Sequence, residues 1–172
     1  MKLTKLFLAL TTFGALVVAS DSGALAAGSK TKDFEVKAAV IANCSISAVD
    51  INFGDYDPLS TTALTSDGKV SIQCTKGASV TIGLSGGANL AAPYNQMKSA
   101  SKDSVLQYQL YQDGGFATQW SDSQPAGSGS LMTISVADLN AHDYTVYGRV
   151  PAGQAASVAA DYVDTVTATV NF

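Results

Sequence analysis

The sequence is dominated by an alternation of apolar and polar residues, which is clearest in residues 161–172. Tyr162, Val166, Ala168, Val170 and Phe172 occupy one parity of this stretch, and the other parity carries mainly threonine and asparagine. Because successive side chains of a β-strand point to opposite faces, the pattern predicts a single twelve-residue strand with one apolar face. A strand of this kind needs neighbours that cover its apolar face and pair with its backbone.

Shorter segments with the same alternation follow one another along the chain. We predict strands at residues 33–40, 46–53, 69–74, 80–84, 105–111, 116–120, 131–136 and 144–150. Asp113-Gly114-Gly115 predicts a hairpin turn between two of them, whereas glycines, Pro93 and polar residues predict a long loop at residues 85–103. No stretch has a convincing helical period. The pattern therefore indicates an all-β fold, with a β-sandwich as the main interpretation and a closed barrel as the alternative.

The first 26 residues have the features of a secretory signal peptide. Lys2 and Lys5 precede an apolar run at residues 6–19, and Ala24-Leu25-Ala26 supplies small residues before a cleavage site. The run is short for a membrane span, and an uncleaved anchor is the alternative. We therefore expect residues 1–26 to be removed on export, residues 27–40 to form a leader and strand, and residues 41–172 to form the sandwich domain.

Charge and cysteine content limit the kinds of partner. The formal net charge of −4 provides no electrostatic surface for nucleic acid or anionic lipid. Cys44 and Cys74 are the chain's two cysteines, and an even number in an exported chain predicts one disulfide. The bridge would close a loop of about 30 residues and stabilise the fold by roughly 3.5 kcal/mol. A metal site would need more soft ligands than the single histidine supplies.

One short motif suggests an enzyme, but its context does not support that interpretation. Residues 83–87 match the G-x-S-x-G pattern of a hydrolase nucleophile elbow, and His142 follows downstream. Such an elbow joins a strand to a helix, and residues 88–93 have no helical pattern, so we interpret the motif as a glycine turn. We expect no enzyme activity, metal or small-molecule cofactor. A sugar-binding platform is a further alternative, for which the candidate aromatic residues are Tyr108, Tyr111, Trp120 and Tyr147.

Several motifs resemble, in order and spacing, one family of exported subunits. They are Phe34-x-Val36-x-Ala38-x-Val40 before Cys44, Phe53-Gly54-x-Tyr56-Asp57-Pro58-Leu59, Cys74-Thr75-x-Gly77, Tyr108-x-Leu110-Tyr111-x-Asp113, Val146-Tyr147-Gly148-Arg149-Val150-Pro151, and Tyr162-x-Asp164-Thr165-Val166 continuing to Phe172. Together they are similar to the spore-coat-U-type domain, the subunit family of archaic chaperone–usher pili in Gram-negative bacteria. The resemblance spans nearly the whole exported chain.

This resemblance implies an immunoglobulin-like β-sandwich that lacks its last strand and is completed by a strand from another molecule. Its partners would be identical or related pilin subunits, a periplasmic chaperone and an outer-membrane usher. The subunit would pass through the periplasm to a surface fibre that supports adhesion and biofilm formation. The alternative is a stand-alone secreted, lectin-like adhesive sandwich. The donor side chains would be Phe34, Val36, Ala38 and Val40, and the acceptor groove would be formed by Tyr162, Val166, Ala168, Val170 and Phe172.

Overall fold

A computed structural model describes residues 28–91, 93–122 and 129–172. The chain divides into two compact units, Met1–Ala38 and Ala39–Phe172. In the first unit, residues 28–38 belong to no strand and are exposed throughout. The predicted signal peptide at residues 1–26 lies outside the described residues. Within the described ranges, no helix is long and apolar enough to cross a membrane.

The described residues of the second unit form nine strands and no helix, which confirms the predicted all-β class. In chain order they are β1 (Cys44–Val49), β2 (Leu64–Cys74), β3 (Ser79–Leu84), β4 (Asn95–Ser99), β5 (Ser104–Tyr111), β6 (Met132–Ser135), β7 (His142–Val150), β8 (Tyr162–Val163) and β9 (Ala168–Asn171). The alternation of apolar and polar positions sets the two faces of the longer strands, as in β2 and β7.

The strands form two antiparallel sheets that pack as a β-sandwich. One sheet has six strands in the order β1-β2-β7-β5-β4-β8, and the other has three in the order β6-β3-β9. Every pairing between neighbours in these sheets is antiparallel. This arrangement confirms the sandwich prediction over the closed barrel.

The core lies between the sheets and draws on alternate positions of the longest strands. Its buried apolar residues are Val70, Ile72 and Cys74 of β2, Val80, Ile82 and Leu84 of β3, Leu106, Tyr108 and Leu110 of β5, Val146 and Val150 of β7, together with Trp120 and Val136. Trp120 donates a hydrogen bond from its indole Nε1 to the carbonyl oxygen of Ile82 at 2.9 Å. The largest core side chain therefore also has its polar atom satisfied.

The prediction of a continuous loop at residues 85–103 is wrong, because β4 forms within it. Two inward positions of β4 are the polar residues Asn95 and Ser99, both of which are buried. A polar residue at an inward position removes the apolar alternation on which the strand prediction depends. The burial pattern of β4 is therefore that of a strand although its composition resembles a loop.

The predicted strand at residues 116–120 is also wrong, since only isolated bridges form there, at Gln119 and Trp120. Asp113 provides the physical reason. Its carboxylate accepts hydrogen bonds from the backbone amides of residues 115, 117 and 118 at 2.7–3.2 Å. These contacts curl the chain into a compact turn, and few backbone groups remain to form a ladder.

Candidate functional site

Among the described residues, β1 and β8 end the six-stranded sheet and β6 and β9 end the three-stranded sheet. Of these four strands, β1 and β9 lie close to each other. β1 pairs only with β2 at one end of the six-stranded sheet, and β9 pairs only with β3 at one end of the three-stranded sheet. Each strand therefore presents one row of backbone N–H and C=O groups that no ladder of its own sheet satisfies. Such an edge is a template for pairing with another strand.

An apolar cavity of about 470 Å³ extends between these strands. Its apolar lining is contributed by Ala48, Val49, Ile51, Phe53, Val70, Leu84, Met97, Tyr108, Leu110, Val146, Tyr162, Val163, Val166 and Ala168. Of the residues that the structure describes, three charged ones, Asp50, Lys69 and Asp164, also line the cavity, together with Thr165. An apolar recess of this size, partly open to solvent, is unusual in a domain because protein interiors pack about as densely as organic crystals. The cavity is therefore the candidate functional site.

The predicted strand at residues 161–172 forms one wall of the cavity, but it is not a single strand. It is divided into β8, which pairs with β4, and β9, which pairs with β3, so the chain crosses from one sheet to the other at residues 164–167. The alternation of half-buried and exposed side chains continues through the crossing. Even-numbered residues from 162 to 170 are half-buried, whereas odd-numbered residues from 163 to 171 are exposed.

The structure brings three of the five predicted groove residues together at the cavity. Tyr162, Val166 and Ala168 line it directly. Val170 packs against the core outside the cavity lining, and Phe172 is 58% exposed. The apolar face of this segment therefore runs from the cavity out to the molecular surface.

The four predicted donor residues belong to no strand. Phe34 is 84% exposed, Val36 is 85% exposed and Val40 is 87% exposed, and Ala38 is exposed as well. Exposed apolar side chains at alternate positions are costly in water. Their role as an inserted strand stays a prediction, which is developed below.

The predicted disulfide between Cys44 and Cys74 is present. The two residues lie directly opposite each other in the register of β1 and β2, with their Cα atoms 4.1 Å apart. The bond joins the beginning of β1 to the end of β2. It therefore fastens the edge strand that borders the cavity to the main sheet.

The other candidate residues from the sequence do not assemble into a second site. Ser85 accepts a hydrogen bond from the backbone amide of Thr167 at 2.8 Å, whereas His142 pairs through Nε2 with Asp138 at 2.8 Å. Of the four aromatic residues considered for a sugar platform, Tyr108 and Trp120 are only 4% and 2% exposed. Both belong to the core and are therefore excluded from a surface platform. Tyr111 and Tyr147 are the two that reach the surface.

Asp164 is a cavity residue that the sequence reasoning did not select. Its carboxylate accepts hydrogen bonds from the backbone amides of Ala88 and Asn89 and from the hydroxyl of Tyr108, at 2.9, 3.2 and 2.7 Å. Burial and this neighbouring carboxylate raise the pKa of the Tyr108 phenol above its ordinary value, so Tyr108 acts as the donor. The sequence does contain a feature that could have identified Asp164: it is the one charged residue on the otherwise apolar parity of residues 161–172.

The fold and the site together define a class, an all-β sandwich domain with an apolar cavity between two strands that end their sheets. Comparison with known families makes this specific. The model of the Spore Coat Protein U domain matches residues 30–169, and the chain belongs to that family. This finding confirms the resemblance derived from the motifs.

Comparison with solved structures shows a similar fold. The match is to a chain in the crystal structure of the CsuC–CsuE chaperone–tip adhesion subunit pre-assembly complex, from the archaic chaperone–usher Csu pili of Acinetobacter baumannii. The TM-score is 0.54 at 22% sequence identity, and the match covers 77% of this chain. This chain spans 40% of the length of that one. No match was found among curated proteins.

Proposed function

We propose that this chain is a structural, non-enzymatic subunit of an archaic chaperone–usher pilus that polymerises by donor-strand exchange. In this proposal the N-terminal segment of one subunit inserts into the cavity of the next. A periplasmic chaperone would occupy the cavity before assembly, and an outer-membrane usher would export the fibre to the cell surface. The fibre would support adhesion and biofilm formation. Membership of the Spore Coat Protein U family and the fold shared with the Csu complex support this assignment.

The observation that carries the proposal is the apolar cavity of about 470 Å³ beside two strands at the ends of their sheets. An added strand could satisfy the unpaired backbone groups of such an edge and fill the cavity with alternate side chains. Insertion of one strand would therefore provide both the backbone hydrogen bonds and the apolar side chains. A catalytic pocket would instead need convergent polar groups, and the cavity lining is mainly apolar.

The exposed N-terminal segment has the chemistry that the cavity requires. Phe34, Val36 and Val40 lie on one parity, and the other parity includes the charged residues Glu35 and Lys37. In an inserted strand the apolar parity would enter the cavity while the charged parity remained in water. Burying a phenylalanine and a valine contributes roughly 1.5–3 kcal/mol each, in addition to the backbone ladder. The sum is compatible with a long-lived, non-covalent joint.

Val36→Asp tests the proposal because it places a carboxylate on the inserted face. We expect this variant to fold and to be held by its chaperone, but not to donate its strand, because an unpaired buried charge is strongly unfavourable. Lys37→Asp is the matched control, since it introduces the same carboxylate one residue away on the outward parity. Fibres would be counted by electron microscopy in cells that co-express the cognate chaperone and usher.

The expected result is loss of fibres with Val36→Asp and retention with Lys37→Asp. Normal fibres with Val36→Asp would contradict donor-strand exchange through this segment, as would equal loss in both variants. A peptide of residues 27–40 added to a chain lacking residues 27–37 provides a second measurement, and we expect it to raise thermal stability. A truncated chain that is monomeric, fully stable and indifferent to the peptide would favour the stand-alone adhesive alternative.

A further inference from the structure

The crossing between β8 and β9 lies outside the strand ladders and is held mainly by side chains. At its first residue, Asp164 Oδ1 accepts hydrogen bonds from the amides of Ala88 and Asn89 and from the Asn89 side-chain amide, at 2.9, 3.2 and 3.1 Å. Oδ2 accepts the hydroxyl proton of Tyr108 at 2.7 Å. The carboxylate therefore joins the crossing to a loop after β3 and to the floor of the cavity.

The last residue of the crossing is fixed to the same loop. Ser85 Oγ accepts a hydrogen bond from the backbone amide of Thr167 at 2.8 Å, and the Ser85 amide donates to the Thr167 carbonyl at 2.9 Å. The serine of the G-x-S-x-G motif thus has a structural role here. Both ends of the crossing are attached to one short loop, residues 85–89.

The shape of this loop depends on the carboxylate that it surrounds. Gly87 has a φ of +80°, and a Cβ atom at this position would lie 1.9 Å from Asp164 Oδ2. Glycine is therefore required here both for its backbone conformation and for space. Successive backbone N–H groups in such a turn form a concave anion site, and Asp164 occupies it from within the same chain. We call residues 85–89 together with Tyr108 the carboxylate cradle.

We propose that Asp164 is a positioning residue for strand acceptance, and that the carboxylate cradle holds the cavity wall open before a donor strand arrives. The inference rests on the proposed function. Tyr162, Val166 and Ala168 line the cavity on either side of the crossing. Collapse of this wall into the empty cavity would bury apolar surface and is therefore favourable. The charge-assisted hydrogen bonds of Asp164 oppose this collapse. An incoming strand then loses less binding free energy to ordering the cavity wall.

The test uses the exported chain, from residue 27, carrying Val36→Asp, which cannot donate its own strand but keeps its cavity. A fluorescent synthetic peptide of residues 28–42 is titrated against this parent and against parents that also carry Asp164→Asn, Tyr108→Phe or Asp113→Asn. Fluorescence polarisation gives the dissociation constant. Asp113 is the matched control, because its carboxylate also accepts three backbone amides but lies outside the cavity lining.

We expect Asp164→Asn to weaken peptide binding about tenfold or more, and Tyr108→Phe to weaken it by roughly threefold to tenfold. Asp113→Asn should leave binding unchanged even if it lowers thermal stability. Hydrogen exchange supplies a second readout, and its restoration by bound peptide is the part that a purely structural role would not produce, since the amide of Thr165 donates directly to Asp164. Amides of residues 165 and 167 should exchange faster in the empty Asp164→Asn chain than in the empty parent, and bound peptide should restore their protection.

The outcomes separate this inference from the proposed function. If the parent itself does not bind the peptide, the proposed function fails and this inference fails with it. If the parent binds and both cradle variants bind equally well, only the positioning role is overturned. Equal weakening by Asp113→Asn would also overturn it, because the effect would then reflect general stability. If Asp164→Asn does not fold, Tyr108→Phe decides, since it keeps the ring and removes only the hydroxyl, which bonds to Asp164 and to the side chain of Asn95.

Discussion

Removal of the disulfide is expected to weaken the domain by a calculable amount. The change is the double substitution of Cys44 and Cys74 by alanine, which deletes the bond without leaving a free thiol. The sequence separation is 30 residues. In the chain-entropy model, a loop of that length corresponds to about 3.5 kcal/mol of stabilisation, because the unfolded chain loses conformational freedom when it is cross-linked.

The folded structure indicates that this estimate should hold. The two cysteines are directly opposed in the β1–β2 register, so the folded strands already place them side by side. The bond therefore acts mainly on the unfolded chain. The loss of packed sulfur adds to the cost, since Cys74 is buried in the core. We expect a total loss of about 3.5–5 kcal/mol, at the high end of the usual range for a native disulfide.

The assay is urea unfolding followed by the fluorescence of Trp120, the chain's one tryptophan and a buried core residue. Every sample also carries Val36→Asp, which should prevent one chain from inserting its N-terminal segment into another, so that the protein stays monomeric. With a urea dependence near 2 kcal/mol per molar, the midpoint should fall by about 1.8–2.5 M. The Val36→Asp protein with both cysteines intact, kept in reductant, is the control, because it loses the bond without a change of either cysteine side chain.

Two results would refute this reasoning. A loss below about 1 kcal/mol would show that the cross-link does not constrain the unfolded chain as the loop-length model requires. Labelling of both thiols in native protein without reductant would show that the bond is absent from the folded chain. A large loss of unfolding free energy in the double variant, with little loss in the reduced control, would instead show that the effect comes from the packing of the cysteine side chains.

Two further predictions concern the cavity wall and its anchors. Gly87→Ala should lower the free energy of unfolding by roughly 1–3 kcal/mol more than Gly77→Ala, because both have positive φ but only the first would clash with Asp164; equal losses in urea unfolding would contradict this. Asp161 has a lowered pKa because it accepts hydrogen bonds from Ser99 and from the amide of residue 101, so its ionised form stabilises the fold above its unfolded pKa of about 3.9. That stability is lost as the pH falls through the lowered folded pKa, and the advantage over Asp161→Asn should therefore shrink as the pH is lowered below about 3.9; an advantage that does not change with pH in this range would refute the linkage.

The strands of the core could be predicted from sequence because their signal is local. In β2, β5 and β7, apolar residues or glycine occupy the inward parity except at Ser66, Ser104 and His142, and the burial patterns follow that parity. The signal fails where an inward residue is polar. In β4, Ser99 is fully buried but donates a hydrogen bond to Asp161 at 2.5 Å, so its burial is compensated by a residue 62 positions away. No local pattern contains that information.

The candidate site was predictable in part for the same reason. The apolar parity of residues 161–172 identified Tyr162, Val166 and Ala168, which do line the cavity. The division of this stretch between two sheets was not predictable, because alternation records which face a side chain occupies and not which strand its backbone pairs with. Sheet membership depends on partners in β4 and β3, which are distant in the sequence.

The departure from the single-strand prediction bears directly on how the cavity is built. A continuous strand would place all of its inward residues on one sheet, whereas here Tyr162 belongs to the six-stranded sheet and Ala168 to the three-stranded sheet. The wall therefore spans the gap between the two layers at the point where the backbone has no ladder. Asp164 stands at that point, and its hydrogen bonds replace those that a ladder would have supplied. The charged residue that interrupts the apolar parity therefore lies where this alternating segment passes from one sheet to the other.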